Sequence, residues 1–271
     1  MLTKIKKLKC VKEFVFSQYG RKLMQFLEVM IWGGRHRRKI TKWLLLAQYQ
    51  SKFRSNWVWA KDMPHFSDNE ASEATFANPS NSAYLFMRGL LTAEILVAGD
   101  RLLDIGCGDG FYNYRFYSHK CEHIDAIDIE PSAIAYAKLN NNAQNISYVL
   151  QDAVNQAFPS PKYDVIAWDG AIGHFAPETT AKMLSKIVGA LKDNGIFTGS
   201  ESLGHDEGCD HLQFFETIED FGRLFKNHFK YVYIREVSYP ISKSSTFIRR
   251  EAFWRCSNSD NLKSRFGWEE L

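Results

Sequence analysis

Cysteine is scarce in this sequence, and long apolar runs are missing. The five cysteines among 271 residues have no CxxC spacing, which argues against a zinc ribbon, an iron–sulfur site or a disulfide framework. The longest apolar stretch near the N-terminus, residues 23–32, is interrupted by Gln25 and Glu28 and falls short of the roughly 20 residues of a spanning helix. No small-residue cleavage site follows it, so a secretory signal is not expected. These absences favour a reducing compartment, and we predict a cytoplasmic location.

The charge of the chain is unevenly divided. At 45% hydrophobic and 24% charged residues, the chain can bury a substantial core. Residues 1–54 contain 14 Lys and Arg against Glu13 and Glu28, a net charge of +12. The remaining 20 basic and 29 acidic residues give −9. Opposite signs in the two parts indicate two functional pieces.

Residues 1–66 are predicted to form a basic helical extension. Apolar residues recur every three or four positions from Leu2 to Met30, which is typical of an amphipathic helix. A second helical stretch around residues 43–53 follows the basic run RHRRK. Three roles stay open: a helical cap over the main domain, a helix lying on an anionic membrane surface, or an arm that binds nucleic acid.

A main domain is predicted over residues 83–271, after a polar linker at 67–82. From Arg101 onward, short apolar runs alternate with helical segments. This alternation indicates βαβ units and a doubly wound, mostly parallel sheet of an α/β fold. The predicted parallel strands are RLLDIG, IDAIDI, ISYVL, YDVIAWD and GIFTGSE. Two later runs, YVYIREVSY and STFIRREAFWRC, are predicted to pair as an antiparallel C-terminal hairpin, which gives seven strands.

A glycine-rich turn, GCGDG at residues 106–110, directly follows the first predicted strand. Glycine allows a tight turn from strand to helix and lets a ligand touch the backbone. We therefore predict a nucleotide-type site at the carboxyl end of this strand. A dinucleotide fingerprint GxGxxG would need glycine where Phe111 stands, so a dehydrogenase is not expected.

Polar residues end the next two strands. Asp128 ends the second strand, where its carboxylate can accept hydrogen bonds from the two hydroxyls of a ribose. The third strand ends in Gln151-Asp152-Ala153, beside the same cleft. The plain alternatives are a helix N-cap or a solvated acid for Asp128 and an ordinary loop acid for Asp152. Asp164 begins its strand on the side away from the cleft and is interpreted as structural.

These motifs resemble those of the class I S-adenosylmethionine-dependent methyltransferases, a seven-stranded Rossmann-like family whose first motif has the form D/ExGxGxG. The resemblance covers roughly residues 83–254, and the stretches YDVIAWDGAIGHF and LKDNGIFTGSE are similar to the family's fourth-strand and fifth-strand motifs. It implies S-adenosylmethionine as methyl donor, with Asp128 holding the ribose and Asp152 meeting the adenine amino group. The residues that we predict to contact the donor are Asp104, Gly106, Cys107, Gly108, Gly110, Asp128, Ile129, Asp152, Ala153 and Trp168.

The methyl acceptor is expected at the ends of the fourth and fifth strands. A hydroxyl acceptor needs a base, and histidine has a suitable pKa at neutral pH. Methyltransferases that act on exocyclic amino groups of bases or on glutamine amides use an Asn/Asp-Pro-Pro-Tyr/Phe tetrapeptide, and this motif is absent from this edge. The candidate catalytic residues are His174, His205, His211 and Asp169. Any one of the histidines, taken alone, is more often a loop or packing residue than a base.

The segment 201–215, ESLGHDEGCDHLQFF, concentrates acids and histidines after the fifth strand. It could be a loop that supplies a base and binds the acceptor, or a divalent metal site, since carboxylates and imidazoles are suitable ligands. No fixed ligand spacing is met, and no metal is predicted.

The sequence therefore predicts methyl transfer to a hydroxyl of a small molecule or glycan. A lipid-linked saccharide would suit an extension that contacts the cytoplasmic face of an anionic membrane peripherally through residues 1–54. Two alternatives stay open. One is an RNA methyltransferase that uses the basic arm, although the charge of −9 on the body gives no help there. The other is a protein that binds the donor without catalysing transfer.

Overall fold

A computed structural model of the chain describes residues 79–204, 211–240 and 248–260. The predicted extension, residues 1–66, lies outside the described residues, and so does His205. Most of the predicted linker also lies outside them. The division of the chain into these segments stays a prediction.

Seven strands and four helices form the described part of the chain. Their bounds are α1 Pro79–Ile95, β1 Arg101–Ile105, β2 His123–Asp128, α2 Pro131–Asn140, β3 Ile146–Leu150, β4 Tyr163–Asp169, α3 Pro177–Ala190, β5 Leu191–Leu203, α4 Ile218–Lys226, β6 Tyr231–Pro240 and β7 Ile248–Ser257. A π-helical segment, Asn113–Tyr117, follows the glycine turn, and a single 3₁₀ turn, Ile172–His174, follows β4.

The strands make one sheet in the order β3-β2-β1-β4-β5-β7-β6. Strands β1 to β5 are parallel, and β7 pairs antiparallel with both β5 and β6. The predicted fold is confirmed. Because the chain runs outward from β1 to β3 and then returns to β4, the carboxyl ends of β1 and β4 meet where the winding reverses. Ligands of open α/β sheets bind at such a point.

The sheet is buried on both faces. In β4, Ile166 and Trp168 pack into one apolar cluster with Met183 of α3, while Val165 and Ala167 belong to the cluster on the other face. A strand that is covered on both sides needs apolar residues at every position. This explains why β4 has four consecutive apolar residues, 165–168, rather than an alternating pattern.

Three boundaries differ from the prediction. The apolar periodicity predicts a helix over residues 83–97, and α1 begins four residues earlier, at Pro79, since proline suits the first turn of a helix. Strand β5 begins at Leu191, before the predicted run GIFTGSE, and its pairing with β4 changes register between Tyr163 and Val165. The sequence also predicts a helix near residues 218–229, and α4 ends earlier, at Lys226. None of the described helices is long and apolar enough to cross a membrane.

Candidate active site

The turn after β1 has the left-handed conformation that glycine allows. Gly106, Gly108 and Gly110 have φ angles of 73°, 54° and 75°. The N–H of Gly106 donates to the carbonyl of Ile127 at 2.9 Å, and the N–H of Gly108 donates to Oδ2 of Asp128 at 2.8 Å. The turn is therefore joined to the end of β2. The thiol of Cys107, in contrast, is buried in the core, and burial raises its pKa well above the ordinary value.

Asp128 connects the glycine turn to the start of α2. Its Oδ1 accepts the N–H of Glu130 at 2.8 Å, while its Oδ2 accepts that of Gly108. Burial raises the pKa of Asp128, and these backbone hydrogen bonds oppose the rise. Glu130 is the N-cap of α2 and accepts the N–H of Ser132. The N-cap alternative for Asp128 is therefore wrong.

Two apolar side chains lie exposed next to Asp128. Ile129 is 68% exposed and Leu150, which pairs with Asp128 across β2 and β3, is 52% exposed. An apolar surface with one carboxylate beside it suits a flat heteroaromatic ring with a sugar attached. The donor contact of Ile129 stays a prediction, and Leu150 was missed by sequence reasoning.

Asp152 organises its own loop. Its carboxylate accepts the N–H of Val154 at 2.8 Å and the side-chain amide of Asn155 at 2.7 Å. These contacts, led by the Asn155 amide, lower the pKa of Asp152. The carbonyl of Ala153 accepts a hydrogen bond from Lys186. These contacts are those of an ordinary loop acid, which was the alternative for Asp152. Its contact with adenine stays a prediction.

Asp104, at the carboxyl end of β1, is a buried acid. It is 5% exposed, and its Oδ2 accepts the amide N–H of Asn113 at 2.6 Å. Burial raises the pKa of Asp104 to about 7, the charges of Asp169 and Asp128 add to the rise, and the Asn113 hydrogen bond opposes it. Asn113 begins the π-helical segment; such segments recur at functional sites.

Asp169, at the carboxyl end of β4, is the second acid of this edge. Ser200 of β5 donates its hydroxyl to Oδ1 of Asp169 at 2.8 Å. Burial raises the pKa of Asp169 to about 6; Arg88 and Ser200 oppose the rise, and the charges of Glu251 and Glu201 add to it. Two acids with raised pKa values therefore lie where the winding of the sheet reverses, a pattern typical of functional sites.

A buried ion pair lies beside Asp169. Arg88 of α1 donates to Glu251 of β7, and their side chains are 11% and 0% exposed. The guanidinium lies against Gly170, where a Cβ would come within 2.2 Å of it. Helix α1 and strands β4 and β7 thus meet at this point. Sequence reasoning missed the pair because its members are 163 residues apart.

Two buried oxygen atoms at this edge have no hydrogen-bond partner among the described residues. They are Oδ1 of Asn113 and Oδ2 of Asp169. Buried polar atoms are normally paired, so a donor from a ligand is expected here. An ammonium group has three N–H donors and no acceptor. The two oxygens, together with Asp104, therefore fit the amino-acid end of S-adenosylmethionine.

The structure brings His174 and His211 together. Their ring centroids are 4.6 Å apart and their planes nearly perpendicular, at 87°. His174 ends the 3₁₀ turn after β4 and is exposed, whereas His211 is half-buried. No group of three His, Cys, Asp or Glu within the described ranges could hold a metal ion. The catalytic roles of the histidines stay predictions.

The predicted donor contact of the Trp168 side chain is wrong. Trp168 is 0% exposed, and its ring packs edge-on against Phe175 at 5.2 Å. Successive side chains of a strand point to opposite faces. Trp168 therefore faces the core cluster on the α3 side of the sheet. Asp164, interpreted as structural, accepts the N–H of Arg101 and the ammonium of Lys192, and that interpretation is confirmed.

Comparisons with known proteins agree with this geometry. Residues 102–195 match a family model described as a methyltransferase domain. The chain is 27% identical over 109 residues to the ribosomal protein L11 methyltransferase of Bacillus subtilis, which covers 40% of this chain and 33% of that protein. It is also 27% identical over 142 residues to a malonyl-[acyl-carrier protein] O-methyltransferase of Acetivibrio thermocellus, covering 52% of this chain and 48% of that protein.

A solved structure shows the same fold. The N-methyltransferase NodS of Bradyrhizobium japonicum aligns with a TM-score of 0.50 and 18% identity, covering 67% of this chain and 98% of that one. The chain spans between a third and about half the length of the curated relatives described above. The first two proteins have different acceptors in their names, and the third is named only as an N-methyltransferase. The likeness therefore gives the fold and leaves the acceptor undetermined.

Proposed function

We propose that this chain, whose body is a class I S-adenosylmethionine-dependent methyltransferase domain, transfers a methyl group from S-adenosylmethionine to a hydroxyl of a small molecule or glycan. The observation that carries the proposal is one juxtaposition. The glycine turn and Asp128 lie at the same sheet edge as the His174–His211 pair. The acids Asp104 and Asp169 lie at this edge too, at the carboxyl ends of the neighbouring strands β1 and β4. This juxtaposition supports a nucleotide-type site beside two imidazoles.

The donor would be held by groups of three strands. Asp128 and the backbone of the glycine turn suit the ribose, Ile129 and Leu150 suit the adenine, and Asp104 with Asn113 suits the ammonium group. The sulfonium supplies a methyl group that is already activated by its positive charge. The protein's own part is then to hold donor and acceptor in line, which can supply several kcal/mol of the barrier.

A hydroxyl acceptor would lose its proton to an imidazole. During attack on the methyl carbon, the hydroxyl oxygen forms the new C–O bond, the C–S bond breaks, and the proton passes to the ring nitrogen of a histidine. A group titrating near neutral pH is efficient in this role. The exposed ring of His174 is accessible to an acceptor, and His211 packs against that ring. This pair supports oxygen as the methylated atom.

The proposal predicts separate effects on donor binding and on transfer. Titration with S-adenosylhomocysteine should give saturable heat, and Asp128→Asn should weaken that binding at least about tenfold because a charged acceptor of ribose hydroxyls is lost. His174→Ala should keep the affinity and reduce transfer of labelled methyl groups to hydroxyl acceptors by roughly 10²-fold or more. The transfer is measured with radiolabelled donor against a panel of glycans, phenols and lipid-linked saccharides.

Two outcomes would contradict the proposal. If the wild-type protein gives no saturable heat, the glycine turn is only a turn and the methyltransferase activity is refuted. If the donor binds and transfer occurs only to amines, with His174→Ala as active as the wild type, the oxygen acceptor is wrong. His119→Ala is a matched control, since His119 is exposed and lies outside this site.

The charge of residues 1–54 supports peripheral contact with an anionic membrane. Fourteen basic residues in this segment could each contribute about 1 kcal/mol near an anionic surface. We expect the protein to sediment with vesicles that contain phosphatidylserine, and binding should weaken at high salt. Neutral phosphatidylcholine vesicles are the control. Binding to RNA with no binding to either vesicle would refute this proposal and favour the RNA methyltransferase.

A further inference from the structure

We infer that Glu201 is a positioning residue that fixes the His174–His211 pair through the peptide of Gly173. The inference rests on the proposed function, because it assigns Glu201 to the part of the site that would meet the acceptor. The Glu201 carboxylate is hydrogen-bonded to the 3₁₀ turn that ends at His174.

The carboxylate of Glu201 holds the turn from the β5 side. Glu201 lies near the end of β5 and is 3% exposed. Its Oε2 accepts the N–H of Gly173 at 3.0 Å, and its Oε1 accepts the N–H of Ser202 at 2.9 Å. Hydrogen bonds to an ionised carboxylate are stronger than those between neutral groups. A buried, charge-assisted contact therefore fixes the residue before His174.

The carbonyl of Gly173 is hydrogen-bonded to the segment that follows His211. The carbonyl of Gly173 accepts the N–H groups of Leu212 at 2.8 Å and Gln213 at 3.2 Å. The Gln213 side chain also donates to the carbonyl of Ile172 at 3.0 Å and to the hydroxyl of Thr180 at 2.7 Å. Residues 211–213 are thus fastened to the 3₁₀ turn. Gly173 is the point where the segments carrying the two histidines are joined.

The ring of His211 lies directly on Gly173. A Cβ at position 173 would lie 2.9 Å from Nδ1 and 3.0 Å from Cε1 of His211. Gly173 is not among the glycines with positive φ, so the need for glycine here is one of space and not of backbone conformation. The relative position of the two imidazoles therefore follows from the Gly173 peptide, and Glu201 fixes that peptide.

Glu201 is separate from the donor contacts. Its hydrogen bonds go to Gly173 and Ser202, which lie outside the predicted donor set. Its charge also acts on Asp169, whose Oδ2 we fitted to the donor's ammonium group, so its removal changes donor affinity through that charge and not through the glycine turn. Loss of the Glu201 anchor is thus expected to disturb the histidines while the glycine turn and Asp128 keep their geometry.

The test compares Glu201→Ala, Glu201→Gln and Gly173→Ala by two measurements. One is the set of histidine Cε1–Hε1 signals in ¹H–¹³C spectra, which report ring position and titration. The other is the affinity for S-adenosylhomocysteine by calorimetry. Glu201→Ala should move the His174 and His211 signals and their titration curves, with donor affinity within about tenfold of the wild type, since only the charge beside Asp169 is lost from the donor side. Glu201→Gln should restore most of the wild-type signals, because a glutamine oxygen can still accept the Gly173 N–H.

Gly173→Ala tests the same assignment while Glu201 is intact. The new methyl group should displace the His211 ring and move its signal. This variant keeps the inference testable if Glu201→Ala does not fold. Glu122→Ala, an exposed acid at the opposite end of β2, is the matched control and should move neither signal. Once an acceptor is known, kcat should fall about 10-fold to 100-fold in Glu201→Ala and Gly173→Ala, with the donor KM unchanged in Gly173→Ala and within about tenfold of the wild type in Glu201→Ala.

The failure of the inference differs from the failure of the proposed function. If Glu201→Ala binds S-adenosylhomocysteine and leaves both histidine signals unchanged, the positioning role is refuted. It is also refuted if Glu201→Gln moves the signals as far as Glu201→Ala does. If the wild-type protein does not bind S-adenosylhomocysteine at all, the proposed function fails, whatever the histidine signals show.

Discussion

Replacing Gly110 with alanine should abolish measurable donor binding. A Cβ at position 110 would lie 2.3 Å from the hydroxyl oxygen of Tyr148, and the φ angle of 75° is one that alanine rarely adopts. Tyr148 cannot easily retreat, since it is 6% exposed and donates its hydroxyl to the carbonyl of Asn141 at 2.6 Å. The turn must therefore open, and it carries the backbone that a donor would contact.

Two other glycines separate the effect of collision from that of backbone strain. Gly99 has a φ of 91° with nothing within 4 Å of a new Cβ, and Gly106 has a φ of 73° with its nearest neighbour at 3.7 Å. Gly99→Ala should cost about 1 kcal/mol of stability and leave donor affinity unchanged. Gly106→Ala should weaken affinity about tenfold, and Gly110→Ala more than about 100-fold. Equal affinities in the three variants would contradict the expected collision with Tyr148.

The Asp104→Asn substitution should stabilise the protein at pH 8 and weaken its binding of the donor. The raised pKa of Asp104, about 7 in the folded chain, means that the folded state holds its proton more tightly than the unfolded state. Its stabilising contribution is complete below the unfolded pKa, near pH 4, and is lost as the pH rises through 7. At pH 8 the charged acid can cost up to about 4 kcal/mol. An asparagine of the same shape avoids that cost and can still accept the Asn113 hydrogen bond.

Thermal melts between pH 4 and pH 8 measure this effect. The melting temperature of Asp104→Asn should exceed that of the wild type by about 5–10 °C at pH 8. The difference should shrink to near zero at pH 4. Asp169→Asn should behave in the same way with a midpoint near pH 6, its pKa in the folded chain. A variant that is less stable than the wild type at pH 8 would show that the charged form of the acid stabilises the fold.

The same acids should make donor affinity depend on pH. A cationic ligand favours the ionised carboxylates, so the affinity for S-adenosylmethionine should rise by roughly tenfold between pH 6 and pH 8. Calorimetry in buffers with different ionisation enthalpies should then detect protons released on binding. In Asp104→Asn the rise should be smaller and the affinity at pH 8 lower. An affinity that is flat over this range would exclude Asp104 from the site.

The fold could be predicted from the sequence because its signals are local. Strands β1 to β5 are apolar runs separated by helical periodicity, and the glycine turn follows its strand directly. The position of Trp168 could not be predicted in this way. Strand β4 is buried on both faces, so its pattern does not show which residues face the cleft and which face the core.

The positions of the proposed donor residues could be predicted better than the contacts around the histidines. Asp104 lies near the end of β1 and Asp128 ends β2, the adjacent strand, so their positions follow from the chain order. Asn113 reaches Asp104 through the π-helical segment, whose extra residue no periodicity reveals. The contacts of Arg88 with Glu251 and of Glu201 with Gly173 join distant parts of the chain. Their residues have no pattern in the sequence, and only the folded sheet brings them together.

The ion pair between α1 and β7 has a consequence for folding during synthesis. A ribosome releases the chain from its N-terminus, so strands β1 to β4 and the glycine turn can assemble while β7 is still unmade. Arg88 cannot form its ion pair until Glu251, 163 residues later, has been synthesised. Strand β5 also has an unpaired edge until β7 is added to the sheet. A nascent chain stalled before β7 should therefore bind the donor nucleoside with an unfinished wall on the acceptor side. We expect the completion of β7 to be the step that closes the acceptor side of the proposed site.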